Sequence, residues 1–267
     1  MHILNASHRC DLFKQIADEV WKHIINNHTY STQVSEIGIT NDIIATIKRH
    51  ASTIPNFGVW ARHGINEKKY GSDIDIFVET VKGQFVWYAL QAKVLRIGNK
   101  YDKLSNIHGT NYQWDKLDLL NALTGCITKY LFYNGVKDYS FKGTDSCNLI
   151  FIESQFGCSL VECSVVKRIS LKKTNPSFFD FHPKYADPWR TIVCCYKDVK
   201  STLFSLTQIK DAVSYYEKDF GADLITTSDD ILPLNDSPVS IIHNSNQEVG
   251  RDPIFSVVIR TTESLNT

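Results

Sequence analysis

The chain of 267 residues is long for one minimal domain and short for two full ones, which favours one domain with an elaborated C-terminal part. It carries 29 Lys+Arg and 29 Asp+Glu residues, so its formal net charge is zero. This balance excludes a polyanion binder that relies on a large overall positive charge, although a local basic groove is compatible with it. Hydrophobic residues make up 43% of the chain and aromatic residues 12%, which excludes wholesale disorder.

The cysteines and the apolar runs bear on the cellular compartment. The seven cysteines include no Cys-x-x-Cys pair, so neither a zinc ribbon nor a disulfide framework is expected. We therefore predict reduced thiols and a cytoplasmic location, with Cys194 and Cys195 in a buried strand. The first residues, MHILNASHRCDLF, do not read as a signal peptide, and no apolar run approaches the about 18 residues of a membrane span.

Hydrophobic periodicity predicts an α/β fold, a mixed sheet of four or five strands flanked by helices. Apolar residues at three- and four-residue spacing predict helices over residues 10–28, 33–50, 111–126 and 199–219. Apolar runs and alternation predict strands over 59–62, 72–79, 84–93, 129–133, 147–153, 159–166 and 254–261. We expect a core over residues 1–170 and a C-terminal elaboration of unknown function, packed on that core, over 171–267.

The strands over 72–79 and 84–93 are separated by Lys82 and Gly83, which is typical of a β-hairpin. With the turn near Gly83, Asp73 is expected opposite Lys93, and Asp75 opposite Gln91. Side chains two positions apart share one face of a strand, so these four polar groups are predicted to project together.

Such a cluster suits metal-assisted phosphate chemistry. Carboxylate and amide oxygens are ligands that Mg²⁺ or Mn²⁺ accepts, and a neighbouring lysine can position water and offset charge on a phosphate. The alternative is a cross-strand salt bridge between Asp73 and Lys93 on a half-exposed sheet. Glu67 is either a further ligand or part of a solvated loop beside Lys68 and Lys69.

Five segments occur in an order that resembles a known superfamily: SEIGIT (35–40), GSD (71–73), LQAKVL (90–95), QWDKLDLL (113–120) and YLFYN (130–134). Over about residues 30–165 the chain resembles the PD-(D/E)XK nucleases, which have the restriction-endonuclease-like fold. Its Gln-x-Lys run, in place of Glu-x-Lys, is similar to Mrr-type restriction enzymes and to a less characterised group of bacterial proteins.

The resemblance implies a role for each residue of the motif. Asp73 is expected to be the principal metal ligand, joined by the side-chain oxygen of Gln91 and the backbone carbonyl of Ala92. Lys93 is expected to be the catalytic lysine. Glu36, at the start of a helix, is expected to contact the metal directly or through water.

Other polar residues are expected around this centre. Asp75 is a spare acid on the same face, which leaves open whether it or Asp73 is the principal ligand. Gln113 and Lys116 lie one turn apart on a predicted helix and are candidates for contacting the phosphate. Arg96 and Lys100 either line a nucleic-acid groove or belong to an ordinary charged loop.

The resemblance implies a Mg²⁺- or Mn²⁺-dependent endonuclease that acts on nucleic acid, with DNA favoured over RNA. A bacterial defence or restriction-type effector is the expected setting, with a second copy or a partner protein that activates or recruits it. Gln91 departs from the family pattern because it is neutral, which should lower metal affinity. The alternatives are an inactive nuclease-fold binding module and an interaction subunit of a defence complex, and the zero net charge slightly favours these two.

Overall fold

The computed structural model describes residues 6–64, 67–105, 107–108, 111–195 and 202–217. The strand predicted over 254–261 lies outside these residues. Within them, the predicted α/β fold is confirmed, because a mixed sheet is flanked by helices on both faces.

The helices are α1 (Ala6–Thr29), α2 (Glu36–Thr53), α3 (Glu67–Tyr70), α4 (Gln113–Thr124), α5 (Cys163–Ser170), α6 (Phe178–Phe181), α7 (Thr191–Cys194), α8 (Leu206–Glu217) and a 3-10 helix (Glu153–Gly157). The strands are β1 (Val59–His63), β2 (Ile74–Val81), β3 (Gln84–Val94), β4 (Ile107–His108), β5 (Asn111–Tyr112), β6 (Ile127–Tyr133), β7 (Lys142–Thr144), β8 (Ile150–Ile152), β9 (Cys158–Glu162), β10 (Ala186–Pro188) and β11 (Phe204–Ser205).

The main sheet has seven strands in the order β1-β2-β3-β6-β9-β10, and β11 pairs with β3. The β3–β6 pair is parallel and the others are antiparallel, because α4 crosses over between β3 and β6. Four or five strands were expected. The two extra short strands, β10 and β11, come from the region predicted to be a C-terminal elaboration.

Two apolar clusters cover the two faces of the sheet. The larger contains residues of α1, α2 and α8, and the smaller is built mainly from α4, α5 and α6. In α2, buried Ile39, Ile43 and Ile47 recur at four-residue spacing, and the Ser35 side chain accepts a hydrogen bond from Gly38 N. This cap and apolar stripe fix Glu36, the first residue of α2, beside the last residue of β3.

The strand predicted over 159–166 ends at Glu162, and the rest of that segment is helical. The buried residues of α5 are Cys163, Val166 and Ser170, whose spacing of three and four matches a helix rather than a strand. The predicted segment contained only the first four residues of this helix, too few for the helical spacing to be distinguished from an apolar strand.

The cysteine predictions were wrong in two respects. Cys194 ends helix α7 and Cys195 follows it, so neither lies in a strand. The structure also contains two disulfides, Cys10–Cys194 and Cys147–Cys195, each with a Cα–Cα distance of 5.4 Å. Their partners are 184 and 48 residues apart in sequence, which short-range spacing cannot reveal. The cysteines left free are Cys126, Cys158 and Cys163, all buried.

No helix in the described part of the chain is both long enough and apolar enough to cross a membrane.

Candidate functional site

The β2–β3 hairpin brings the predicted residues together, but in a different register. Ile74 pairs with Leu90 and Asp75 with Ala89, so the register is two residues away from the predicted one. The turn over Lys82 and Gly83, centred between them rather than on Gly83, accounts for one residue of this difference, and an irregularity between Glu79 and Val81 accounts for the other. A shift of two residues preserves the side-chain faces, so Asp73 extends the ladder toward Gln91 rather than Lys93.

Strand β3 is longer than β2 at this end, and two carboxylates accept the hydrogen bonds of its extension. Beyond the pair formed by Ile74 and Leu90, the amide of Ala92 donates to Asp73 Oδ2 at 2.7 Å. The amide of Val94 donates to Glu36 Oε2 at 3.1 Å. Asp73, just before β2, and Glu36 of α2 are therefore held side by side, because each accepts from a β3 amide that has no strand partner on that side.

The side chain of Gln91 is fully buried and binds Asp73 directly. Its Nε2 donates to Asp73 Oδ2 and also lies 3.2 Å from the carbonyl oxygen of Ala92. Its Oε1 is buried and has no hydrogen-bond partner among the described residues. An amide with one satisfied and one unsatisfied end is an uncommon feature of a buried site.

Lys93 lies beside the same carboxylates. Its side chain is 9% exposed, and Nζ is 3.5 Å from Glu36 Oε1. Glu36 thus contacts the lysine with one oxygen and the β3 backbone with the other. Glu36, a predicted metal ligand, therefore connects the predicted catalytic lysine to the strand that carries the Gln-x-Lys motif.

The surroundings of Asp73 disfavour the negatively charged form of its carboxyl. Burial raises the pKa of the Asp73 carboxyl well above its usual value, and the ammonium of Lys93 opposes this rise. The nearby carboxylates of Glu36 and Glu67 raise the Asp73 pKa further. Glu67 is therefore close enough to influence the site, and it lies exposed at the start of helix α3 rather than in a loop.

Asp75 has a different setting from Asp73. It is fully buried inside β2 and is the register partner of Arg62 in β1. Burial lowers the pKa of Arg62 and the charge of Asp75 raises it, so the two form a buried charge pair within the sheet. This placement favours Asp73 as the ligand at the end of the hairpin.

The predicted phosphate-contacting residues of α4 lie close to the turn before β2. Gly71 has a φ of +76°, and a Cβ there would lie 3.1 Å from the carbonyl oxygen of Gln113. Gln113 is 5% exposed, and its Oε1 has no partner within the described ranges. Lys116 is 8% exposed, and its Nζ donates to the carbonyl of Lys68, so it ties α4 to α3.

Arg96 and Lys100 both follow β3, but they differ in how far their side chains are exposed to solvent. Arg96 Nε lies 3.1 Å from Asp102 Oδ1, and Nη1 donates to the carbonyl of Val34 at 3.0 Å. Lys100 is exposed. Of the two, Lys100 has the side chain that solvent and a ligand can reach.

One buried group near the site carried no sequence signal of its own. Tyr130 of β6 is the register partner of Gln91, is fully buried, and its hydroxyl has no hydrogen-bond partner in the described structure. Burial raises the Tyr130 pKa, and nearby acidic groups including Asp73 add to the rise. Its position in the apolar run YLFYN indicated only a buried strand.

The donor set suits a hard divalent cation. Asp73 Oδ2, the Ala92 carbonyl and the Gln91 side chain meet at one point, with Glu36 beside them. No group of three or more His, Cys, Asp or Glu side chains that could hold a metal occurs in the described ranges. A cation here would therefore need the amide and carbonyl oxygens, and the unpartnered Gln91 Oε1 can supply one when the amide, whose Nε2 faces Asp73 in the structure, turns round.

Comparison with known proteins gives a family but no activity. A model described as "Family of unknown function (DUF6615)" matches residues 9–257. The search of curated proteins found no match to this chain.

Proposed function

The chain belongs to DUF6615, a family of unknown function, so its activity has to be argued from its own residues, and we propose a metal-dependent nuclease. The substrate would be nucleic acid, with DNA favoured over RNA, and the cation Mg²⁺ or Mn²⁺. The observation that carries the proposal is the convergence of Asp73, Gln91, Lys93 and Glu36 at the end of β3 that extends beyond β2. The resemblance to PD-(D/E)XK nucleases rests on the same residues.

Asp73, Gln91 Oε1 and the Ala92 carbonyl would hold the cation, with Glu36 contacting it directly or through water. A bound divalent cation supplies positive charge to the scissile phosphate and lowers the pKa of water. Asp75, enclosed with Arg62, would support the hairpin as a spare acid.

Lys93 would orient the attacking water and offset negative charge on the phosphate. Water would attack phosphorus and the bond to the 3′ oxygen would break, which leaves a 5′-phosphate and a 3′-hydroxyl. Glu36, 3.5 Å from Lys93 Nζ, would keep the ammonium aimed at this position. Gln113 and Lys100 would contact flanking phosphates. Arg96, through Asp102 and the Val34 carbonyl, would hold the loop that follows β3. Lys116 would hold α3 in place through the Lys68 carbonyl.

A bacterial defence or restriction setting, a cytoplasmic location, and a second copy or partner protein belong to the same proposal. The expected substrate lies inside the cell, which supports the location. The two disulfides count against it, since disulfides persist mainly in oxidising compartments.

The test is cleavage of supercoiled plasmid, single-stranded DNA and RNA by the full chain with Mg²⁺, Mn²⁺ or EDTA. We expect metal-dependent nicking that both Lys93→Ala and Asp73→Ala abolish. Lys129→Ala is the matched control, because Lys129 forms an exposed ion pair with Glu162 and should retain activity.

Cleavage that survives in both site variants would contradict the proposal. Binding of nucleic acid without cleavage under any metal would favour the second candidate, an inactive nuclease-fold binding module or interaction subunit. The observation that favours this second candidate is the neutral Gln91, whose amide already satisfies Asp73 without a cation.

A further inference from the structure

The amide group of Gln91 lies where the proposed cation would have to bind. Its Nε2 contacts Asp73 Oδ2 and lies 3.2 Å from the Ala92 carbonyl, the two oxygens expected to be ligands. An NH₂ group carries partial positive charge and donates two hydrogen bonds, so it can bridge two acceptors as a cation would. Both contacts would be lost if the amide were reversed, because three oxygens would then face one another.

The oxygen at the opposite end of the Gln91 amide needs a hydrogen-bond partner that the described residues do not supply. Gln91 Oε1 is buried and lacks a hydrogen-bond partner in the described part of the chain. On the neighbouring parallel strand, the register partner Tyr130 carries a buried hydroxyl that also lacks one. Register partners on adjacent strands project from the same face of the sheet, so these two groups lie on one side of it.

We propose that Gln91 is a two-position amide that gates cation entry. In one position its NH₂ group bridges Asp73 and Ala92 and closes the site. In the other, a half-turn about its last side-chain bond presents Oε1 to a divalent cation, and the NH₂ group donates to the Tyr130 hydroxyl. In the closed state the Tyr130 hydroxyl has no partner among the described residues, and it gains one only when the NH₂ group turns toward it, so Tyr130 is a positioning residue for the open state.

This inference rests on the proposed metal site and adds that the Gln91 amide regulates cation binding there. A glutamate at position 91 could not bridge Asp73 through an NH₂ group, so the closed state would be lost. The neutral residue therefore keeps the hairpin end stable without metal, and makes cation binding weak and conditional. It also explains why a site that resembles an active nuclease carries glutamine at this position.

The experiment measures Mn²⁺ binding and thermal unfolding in EDTA for the full chain and two variants. Gln91→Glu should bind Mn²⁺ at least about tenfold more tightly, since a charged ligand replaces a neutral one. In EDTA it should unfold at a lower temperature than the natural protein, because two carboxylates then face each other. Adding Mn²⁺ should recover that loss.

Tyr130→Phe should weaken Mn²⁺ binding several-fold, while its unfolding temperature in EDTA stays equal or rises. Removing a buried hydroxyl that has no partner does not cost a hydrogen bond. Tyr101→Phe is the matched control, because Tyr101 is equally buried in the same apolar cluster but its hydroxyl donates to Asn134 Oδ1. That control should lower the unfolding temperature and leave Mn²⁺ affinity unchanged.

The outcomes separate the gate from the proposed function. Mn²⁺ binding that depends on Asp73 but is the same in all these variants would overturn the gate and leave the metal site intact. A Gln91→Glu variant as stable as the natural protein in EDTA would also overturn the gate. Absence of Mn²⁺ binding even in Gln91→Glu would overturn both.

Discussion

At the scale of single residues, Asp73 is a carboxylate held in surroundings that oppose its charge. Its pKa is raised above the usual 3.8, mainly by burial, so the native state binds its proton more readily than the unfolded chain does. As pH rises beyond 3.8, the charged form therefore lowers the stability of the native state. Strain of this kind is common where function opposes stability.

We predict that Asp73→Asn raises the unfolding temperature by a few degrees in EDTA at pH 7. Asparagine retains an oxygen for the Ala92 amide and carries no charge to bury. The same variant should lack metal-dependent cleavage. Differential scanning calorimetry checks the stability, and a lower unfolding temperature than that of the natural protein would refute the electrostatic argument.

His182 is a second residue whose environment sets its protonation. It is 3% exposed, its Nδ1 lies 3.0 Å from the Phe178 carbonyl, and its Nε2 lies 2.7 Å from Ser159 Oγ. A carbonyl only accepts, so Nδ1 carries the proton and Nε2 accepts from the serine. Burial lowers the His182 pKa from 6.5 to about 3, so the ring is neutral in the folded protein.

We predict acid destabilisation that depends on His182. The unfolded chain binds its proton near pH 6.5 and the native state only near pH 3, so this contribution is complete above 6.5 and is lost as pH falls. The slope should approach about 1.4 kcal/mol per pH unit. Denaturant unfolding between pH 8 and 4.5 should show it in the natural protein and not in His182→Gln. Exposed His23→Gln is the control, and an equal slope in all three would contradict the prediction.

At the scale of secondary-structure elements, the site depends on how closely the turn before β2 approaches α4. Gly71 and Gly83 both have positive φ, +76° and +74°. A Cβ at Gly71 would lie 3.1 Å from Gln113 O and 3.3 Å from Lys116 Cβ, whereas a Cβ at Gly83 meets nothing within 4 Å. The two glycines therefore form a matched pair.

We predict that Gly83→Ala costs about 1 kcal/mol for the left-handed backbone alone. Gly71→Ala should cost at least about 1 kcal/mol more, because α4 and the turn must separate. It should also weaken Mn²⁺ binding, since Asp73 follows two residues later. Equal losses of unfolding free energy in the two variants would mean that the approach of α4 does not constrain the turn.

The elements also indicate what a sequence can and cannot predict here. Alternation along the hairpin placed Asp73 and Gln91 on one face, because a strand has a strict period of two. Neither the exact centre of the turn nor the irregularity after Glu79 has a residue signature, and each moved the register by one residue. Glu36 is 58 residues from the Val94 amide that it binds, and only the family resemblance predicted that it joins the site. The burial of the Tyr130 hydroxyl beside the site and the contact of Lys116 with Lys68 depend on packing that a local pattern does not encode.

At the scale of the whole molecule, the disulfides connect distant parts of the chain. Cys10–Cys194 joins α1 to α7, and Cys147–Cys195 joins the turn between β7 and β8 to the residue after α7. We predict three reactive thiols of the seven cysteines when the protein is denatured without reductant. Thiol titration checks this, with the reduced protein as the control. Seven reactive thiols in freshly purified protein would contradict the pairing and would favour a reducing compartment.

The unequal lengths of β2 and β3 have a practical consequence. The backbone amides of Ala92 and Val94 are bonded to the carboxylates of Asp73 and Glu36 rather than to a neighbouring strand. Their nuclear magnetic resonance signals should therefore respond to any change at those carboxylates. Two peaks in a proton–nitrogen spectrum would then report protonation or ion arrival at each acid separately, in the unmodified protein and without a substrate.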